Sequence, residues 1–159
     1  MKDPGTQYRP NPIDRLAVLA AGLPGAVVGT RLIPASFEAV WSVVADLEHA
    51  TPRYEPGVAS VRVIEERGES LRLLVRDSEG REAAMTARLR PGWCVMQSST
   101  VVIAFAGRAV EGGTMLAHME FRREQPGDAK GGSRDPRATL AKIDHELRTI
   151  EQLATGSAY

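Results

Sequence analysis

The sequence predicts an α+β fold, in which a curved antiparallel sheet of seven strands wraps around a long C-terminal helix. Two observations predict the sheet. Between residues 58 and 124 apolar and polar side chains alternate, which is the period of a half-buried strand. Short joints, most of them containing glycine, divide this stretch into six segments, and short joints force antiparallel neighbours. A third observation predicts the helix, because apolar residues recur at helical spacing near the end of the chain.

The chain begins with a segment that has no hydrophobic period, residues 1–10, and continues with a short helix. Asn11 is a good N-cap and Pro12 suits the first helical position. This helix covers an apolar patch of the main domain or forms a dimer contact, and the sequence leaves both open. We expect residues 1–25 to form an arm and helix, and residues 26–155 to form one domain.

One strand and two short helices come before the alternating stretch. Residues 26–33 are the strand, which Pro34 ends. Ser36 caps the next helix, and residues 47–53 leave room for one more helical turn. The apolar stripe of the capped helix consists of Phe37, Val40, Trp41 and Val44.

The six later strands are expected at residues 58–66, 71–77, 81–90, 93–99, 102–111 and 114–123. Their alternation predicts which side chains face the helix. These are Leu71, Leu73, Val75, Ala83, Met85, Ala87, Leu89, Val95, Ile103 and Phe105. Cys94 alternates with Val95, so we expect it on the opposite face of the sheet.

A polar, glycine-rich connector at residues 125–133 leads to the last helix. Asp135 and Pro136 give it an N-cap and a first-turn proline. At 1.5 Å per residue it is about 27–30 Å long, enough to cross a sheet. Its apolar stripe consists of Leu140, Ile143, Leu147, Ile150 and Ala154.

Composition excludes several classes of function. The 159 residues hold 20 Lys and Arg against 20 Asp and Glu, and a nucleic-acid binder would need a basic surplus. One cysteine, Cys94, excludes an intramolecular disulfide, and three widely separated histidines do not have metal-ligand spacing. We therefore expect no metal and no cofactor. No apolar run is long enough to span a membrane, and we expect a cytoplasmic protein.

The order of elements and several local motifs resemble the helix-grip fold of the START/Bet v 1-like (SRPBCC) superfamily. The resemblance covers roughly residues 26–155. Its motifs lie at residues 28–33, 34–41, 46–48, 52–54 and 112–114, and in the final helix. The hairpin at residues 108–114 is most similar to the polyketide cyclase/aromatase branch.

The resemblance implies a deep cavity between sheet and helix that takes a small hydrophobic molecule, polyketide or lipid-like. Two features of the sequence agree with a cavity. Ala83, Ala87 and Gly107 are small residues at inward positions, and only 5% of the residues are aromatic. The alternative is that the helix sinks into a tightly packed core.

The resemblance also implies a pocket tyrosine and a pocket arginine that steer enolisation and ring closure. Their positions correspond to Val58 and Leu89, which cannot donate a proton. The remaining polar candidates for catalysis are Gln97, His118 and Tyr54. Gln97 shares a face with Val95, and Tyr54 lies where the family has its pocket mouth. A neutral His118 imidazole would act as general base.

The register of the last strand is open in the sequence. Counting apolar residues places Met115, Ala117, Met119 and Phe121 inward, which leaves His118 outside. Counting from the glycines at residues 112–113, as the family does, places His118 inward, and a bulge there would reconcile the two.

The expected ligand-binding wall follows from these assignments. It consists of Trp41, Val58, Leu73, Met85, Ala87, Leu89, Val95, Ser99, Phe105, Met119, Leu140 and Leu147.

Two functions follow from different features of the sequence. The cyclase-like hairpin favours a cofactor-independent polyketide cyclase or dehydratase of natural-product biosynthesis. The missing tyrosine and arginine favour a non-catalytic carrier or self-resistance protein for a hydrophobic metabolite. A protein-interaction adaptor that uses the N-terminal helix, in a homodimer for example, is a third class.

Overall fold

The computed structural model describes residues 11–123 and 135–156. The expected arm at residues 1–10 and connector at residues 125–133 lie outside the described residues. In chain order the elements are α1 (Pro12–Ala21), β1 (Val27–Ile33), α2 (Phe37–Ala45), α3 (Thr51–Tyr54), β2 (Val58–Arg67), β3 (Ser70–Asp77), β4 (Glu82–Arg90), β5 (Trp93–Gln97), β6 (Val101–Val110), β7 (Gly113–Arg122) and α4 (Pro136–Thr155).

The seven strands form one antiparallel sheet in the order β1-β7-β6-β5-β4-β3-β2. Strands β2 to β7 follow one another as a meander, and β1 pairs with β7 at one edge. Helices α2, α3 and α4 pack on one face of the sheet, which we call the inner face. The predicted α+β helix-grip architecture is confirmed.

The predicted helix caps are present, which explains where the helices begin. The Asn11 side chain accepts a hydrogen bond from Ile13 N at 2.8 Å, and Ser36 Oγ accepts one from Ala39 N at 3.1 Å. Asp135 Oδ1 accepts one from Arg137 N at 3.0 Å. Each cap satisfies a backbone donor that the first helical turn leaves without a partner.

The sheet is buried on both faces in its middle. The larger apolar core lies between the inner face and α2, α3 and α4. A second, smaller core lies on the outer face, where α1 inserts the fully buried Leu16 among Val102, Ala104, Ala117 and Met119. The helix at the N-terminus therefore covers an apolar patch of the sheet, which is one of the two roles that the sequence left open.

Two strands have the opposite register to the one that apolar counting predicts. In β5, Cys94 and Met96 face the inner core, whereas Val95 packs toward α1. In β7, Leu116 and His118 face inward, and Met119 belongs to the outer core. The expected inward positions of Val95 and Met119, and the outward position of Cys94, are wrong.

The physical reason for both errors is the second core around Leu16, which puts apolar residues on the outer face of these strands as well. A strand with one wet face shows its register as an alternation of apolar and polar residues, but a strand that is buried on both faces does not. In β5 the outer set begins with the apolar Trp93 and Val95, and the inner set, Cys94 and Met96, is apolar too. In β7 the outer set is more apolar than the inner set, because the inner set carries His118 and Glu120.

Within the described residues, no helix is both long and apolar enough to cross a membrane.

The β6–β7 turn fixes how β7 meets β1, and one glycine makes the close approach possible. Gly113 has φ +148°, and a Cβ there would lie 2.0 Å from the Ile33 carbonyl oxygen. Gly112 also has positive φ, +86°, but a Cβ there would meet nothing within 4 Å. We expect Gly113→Ala to lower the free energy of unfolding by about 3 kcal/mol or more, because backbone must move.

Gly112→Ala is the matched control. It should lower the free energy of unfolding by only about 1–2 kcal/mol, the cost of placing an alanine at positive φ. Urea denaturation of both variants measures the difference. Equal losses for the two glycines would contradict the close approach of β7 to β1.

Candidate functional site

A small cavity lies between the inner face of the sheet and the helices, with a volume of about 40 Å³. Ligand pockets usually measure several hundred Å³, whereas this volume suits a few water molecules. The deep open cavity that the resemblance implies is therefore largely filled by side chains in this conformation. The apolar wall consists of Val58, Val61, Leu73, Val75, Met85, Met96, Ile103 and Phe105.

One end of this cavity is polar. It consists of Thr51, Tyr54, Glu55, His118 and Glu146. All five side chains belong to buried residues. Ionisable groups in an apolar interior are costly unless they pair with one another, so this end is the first candidate for chemistry.

His118 is held by partners on three sides. Its ring stacks on Phe105, which lies directly across in β6, with centroids 4.0 Å apart. Nε2 donates to Glu146 Oε2 at 2.6 Å, and Nδ1 lies 3.1 Å from the Ala104 carbonyl oxygen. Burial lowers the pKa of His118, but the ion pairs with Glu120 and Glu146 outweigh it and raise the pKa to about 9. His118 is thus an imidazolium at neutral pH, with both ring nitrogens engaged.

Glu146 is the carboxylate that holds this imidazolium. It projects from α4 within the apolar stripe, one turn after Ile143, and it is fully buried. Burial opposes its charge, but hydrogen bonds and charges from His118 and Lys142 lower its pKa well below the ordinary value. Lys142 Nζ lies 2.9 Å from Oε1, yet without hydrogen-bond geometry. Among the described residues Oε1 therefore has no hydrogen-bond donor.

Lys142 joins three carboxylates at the edge of the cavity. Its Nζ lies 2.6 Å from Glu120 Oε1, 2.9 Å from Glu55 Oε2 and 2.9 Å from Glu146 Oε1. Lys142 and Glu120 also line a cleft of about 600 Å³ on the surface beside the start of α4. The ion pairs of Lys142 thus separate the surface cleft from the buried cavity.

Glu55 follows α3 and is a carboxyl group that holds its proton more firmly than an ordinary glutamic acid. Its Oε1 accepts a hydrogen bond from Gly57 N at 3.2 Å, and its Oε2 accepts one from Lys142. Burial and the neighbouring Glu146 carboxylate raise the pKa of Glu55 to about 7. A proton on Glu55 gives the pair a donor for the Glu146 carboxylate.

Tyr54 completes the polar end as a hydrogen-bond donor. Its ring meets Phe105 edge to face at 5.9 Å, and its hydroxyl lies 3.5 Å from Thr51 Oγ1, a long contact. Burial raises the pKa of the Tyr54 phenol far above its ordinary range. The phenol therefore stays protonated and can donate a hydrogen bond to the oxygen of a ligand.

His118, Glu120 and Glu146 lie close enough for one atom of each to bind a single metal ion. Lys142 Nζ, however, already lies against both carboxylates, and His118 Nε2 donates to Glu146. We therefore treat these residues as an ion-pair cluster and not as metal ligands.

Six of the expected site residues line the cavity. They are Tyr54, Val58, Leu73, Met85, Phe105 and His118. The inward position of His118 agrees with the count from the turn glycines and not with the apolar count. Its expected form, a neutral imidazole base, does not agree with the raised pKa and the two engaged nitrogens.

Four expected site residues do not face the cavity. Val95 and Met119 pack on the outer face. Gln97 is exposed and lines a groove on that face with Val95 and Arg88, so it cannot orient a ligand inside. Ser99 is exposed in the turn after β5, which ends at Gln97. The reversed register of β5 and β7 explains these errors.

The other five expected wall residues lie elsewhere in or near the core. Trp41 stacks on Phe37 and packs over Gly107, and Leu140 is 45% exposed beside Gly29. Leu89 lines a surface pocket with Ala45 and Leu47. Ala87 and Leu147 are buried in the inner core without lining the cavity.

Four charged residues of the site were not predicted from the sequence: Glu55, Glu120, Lys142 and Glu146. One signal was available for Glu146, which falls on the apolar stripe of the last helix between Ile143 and Ile150. A carboxylate on a buried stripe needs a cationic partner, and Lys142 lies one helical turn before it. Nothing in the sequence brings Glu55 to the same place.

No family model matches the sequence, and no curated protein matches it. Solved structures do match. The chain has the START-type helix-grip fold. The START superfamily protein from Mycobacterium smegmatis aligns with a TM-score of 0.58 at 16% identity, over 84% of this chain and 99% of that chain.

Two further solved structures give the same result. Protein TTHA0849 from Thermus thermophilus aligns with a TM-score of 0.66 at 16% identity, over 84% of this chain and 99% of that chain. The ZhuI aromatase/cyclase from Streptomyces sp. R1128 aligns with a TM-score of 0.60 at 15% identity, over 82% of this chain and 93% of that chain. At such identities the helix-grip fold is what these proteins share.

The raised pKa of Glu55 gives a testable dependence of stability on pH. The folded state holds this proton up to about pH 7, whereas the unfolded chain loses it near 4.5. The folded state therefore binds more protons in this window, and its free energy of unfolding falls as pH rises through it. Glu55→Gln should abolish this component, so the variant gains stability relative to the native protein between about pH 5 and pH 8.

Urea denaturation at several pH values measures this difference. His118 also loses stabilising interactions as pH rises, up to about 9, but that component is common to both proteins. Glu66→Gln, on an exposed residue of β2, is the control and should run parallel to the native protein. A Glu55→Gln curve that also runs parallel would show that Glu55 titrates normally.

Proposed function

We propose that this protein binds a small hydrophobic molecule in the inner cavity and catalyses a cofactor-independent cyclisation or dehydration, as a polyketide cyclase-like tailoring enzyme would. One observation carries the proposal. Two carboxyl groups share the polar end of an apolar cavity, and Glu146 lies against both His118 and Lys142 whereas Glu55 has Lys142 alone, which displaces the pKa of Glu55 upward and that of Glu146 downward. Such divergence is typical of an acid–base site.

Glu55 is the proton-transfer residue in this proposal, because a base works best with a pKa near the working pH. The Glu55 carboxylate takes a proton from the carbon next to a substrate carbonyl. Tyr54 donates a hydrogen bond to that carbonyl oxygen, where negative charge develops. The new Glu55 carboxylic acid then protonates a hydroxyl on the adjacent carbon, which leaves as water and regenerates the carboxylate.

His118 and Glu146 act as positioning residues. Both His118 nitrogens already have partners, so the imidazolium does not reach a substrate. It holds Glu146 ionised and in place, and the ionised Glu146 keeps the pKa of Glu55 high. Without His118 the buried Glu146 carboxylate would lose its principal cation.

A substrate has to widen the cavity, because about 40 Å³ does not hold a ring. Met85 and Met96 line the cavity on β4 and β5. Methionine is unbranched and changes rotamer readily, so these two side chains are the adaptable part of the wall.

A non-catalytic carrier or self-resistance protein is the second candidate. It is favoured by Val58 and Leu89, which stand at the positions where the resemblance implies a tyrosine and an arginine. Such a protein would release its ligand chemically unchanged. Mass spectrometry of a cyclisable β-polyketone after long incubation distinguishes the two functions.

The proposed reaction predicts which substitutions abolish turnover. Glu55→Gln should reduce the rate of cyclisation or dehydration of a β-polyketone at least about a hundredfold, the usual effect of losing a general base. Tyr54→Phe should reduce it at least about tenfold. In the native protein the rate should rise with pH up to about 7, as Glu55 loses its proton.

Gln97→Leu is the control for these variants, because Gln97 is exposed on the outer face and should leave the rate unchanged. If Glu55→Gln and Tyr54→Phe both react at the native rate, the proposed roles of Glu55 and Tyr54 are excluded. Unaltered substrate in every sample, the native protein included, would favour the carrier.

A pair of neighbouring substitutions tests where the ligand binds. Val75 lines the cavity, whereas Leu74, the next residue of β3, points to the other face of the sheet. Val75→Phe should fill the cavity and weaken binding of an uncharged fluorescent polyketone analogue at least about tenfold. Leu74→Phe should bind like the native protein in the same fluorescence titration. Equal binding by the two variants would place the ligand elsewhere.

A further inference from the structure

The polar end of the cavity has more carboxylates than cations. Within residues 11–123 and 135–156, the titratable groups that line it are Tyr54, Glu55, His118 and Glu146. Cys94 on β5, Glu120 on β7 and Lys142 on α4 interact with these groups from outside the cavity lining. Tyr54 and Cys94 are neutral, because burial raises both pKa values. When Glu55 is ionised, three carboxylates therefore face two cations.

A second observation shows where a further cation would fit. Glu146 is fully buried and lines the cavity, and its Oε1 has no hydrogen-bond donor among the described residues. Lys142 approaches this oxygen at 2.9 Å from the side of the surface cleft, but not in the direction of a hydrogen bond. When Glu55 is ionised it gives Glu146 no proton, and a buried carboxylate oxygen without a donor is costly, so the site then favours a donor on the cavity side.

We propose that the cavity also binds apolar molecules that carry a protonated amine, with the ammonium group on the cavity side of the Glu55 and Glu146 carboxylates, opposite Lys142, whose Nζ already lies 2.9 Å from each of them. An ammonium group donates up to three hydrogen bonds, so it can satisfy the Glu146 oxygen and Glu55 together. The aromatic rings of Tyr54 and Phe105 line the same cavity and can stabilise the cation further. The apolar wall contacts the apolar part of such an amine. A hydrated metal ion has no apolar part and would gain nothing from that wall.

This ligand class goes beyond the proposed function, although it uses the same cavity. A bound ammonium group replaces the proton on Glu55 and occupies the carboxylate that the proposed reaction uses as its base. Amines of this kind therefore inhibit the proposed reaction in competition with its substrate. Binding also releases the Glu55 proton near neutral pH, since that carboxyl is largely protonated below about pH 7.

Isothermal titration calorimetry with three probes of one shape tests the proposal. Benzylamine should bind at least about tenfold more tightly than benzyl alcohol, and benzoate should bind least, because it adds a fourth carboxylate. The heat of benzylamine binding at pH 7 should differ between phosphate and Tris buffers, which reports the released proton.

Two variants distinguish binding of the ammonium group at Glu55 from a general attraction of cations to the acidic residues of the protein. Glu55→Gln removes the charge excess but keeps the shape, so the preference for benzylamine over benzyl alcohol and the proton release should both disappear. Glu66→Gln removes an exposed carboxylate of β2 and should change neither. Thermal denaturation of both variants establishes that they are folded.

Three results would overturn the inference. The first is equal affinity for benzylamine and benzyl alcohol, which leaves the proposed function standing. The second is a benzylamine preference that persists in Glu55→Gln, which means adventitious binding elsewhere. The third is no binding by any probe. In that case the Val75→Phe and Leu74→Phe comparison with the polyketone analogue decides the proposed function separately.

Discussion

The buried ion pair between His118 and Glu146 is the constraint on which the inner half of this molecule depends. A carboxylate without accessible surface is tolerated only with a cation at hydrogen-bond distance, and Nε2 supplies it at 2.6 Å. The pair therefore fixes the face that β7 turns inward and the rotation of α4 about its axis. A slip of either element by one residue would leave two buried charges unpaired, which is far more costly than the loss of an apolar contact.

Backbone geometry brings these two residues together. Gly29 of β1 is the ladder partner of His118, and a Cβ on it would lie 2.6 Å from Ile143 of α4. The helix can thus come close to the sheet beside His118, and Glu146 lies one turn further along the same face of α4. The arrangement thus depends on three residues that are far apart in the chain: Gly29 in β1, His118 in the neighbouring β7 and Glu146 on the apolar stripe of α4.

The same arrangement explains why two carboxyl groups in one cavity behave differently. Glu146 has His118 and Lys142 against it and stays ionised, while Glu55 shares Lys142, lies beside the Glu146 charge and has its pKa raised to about 7. The apolar walls strengthen both effects, since charges interact more strongly where water is scarce. A fold with a filled interior therefore still holds two neighbouring carboxyl groups with opposite pKa shifts.

The amino-acid sequence by itself determined the order of elements, the antiparallel meander, the helix caps and the inner faces of β3, β4 and β6. Each of these depends on a local pattern or a short joint, which a sequence displays directly. It did not determine the register of β5 and β7, because the second core around Leu16 places apolar residues on their outer faces and reduces the contrast between the two faces. The chemical site also needed the tertiary structure, since Glu55, His118 and Glu146 come from three distant segments and a charge network has no sequence period. The cavity volume, too, is decided by side-chain packing, which alternation patterns do not measure.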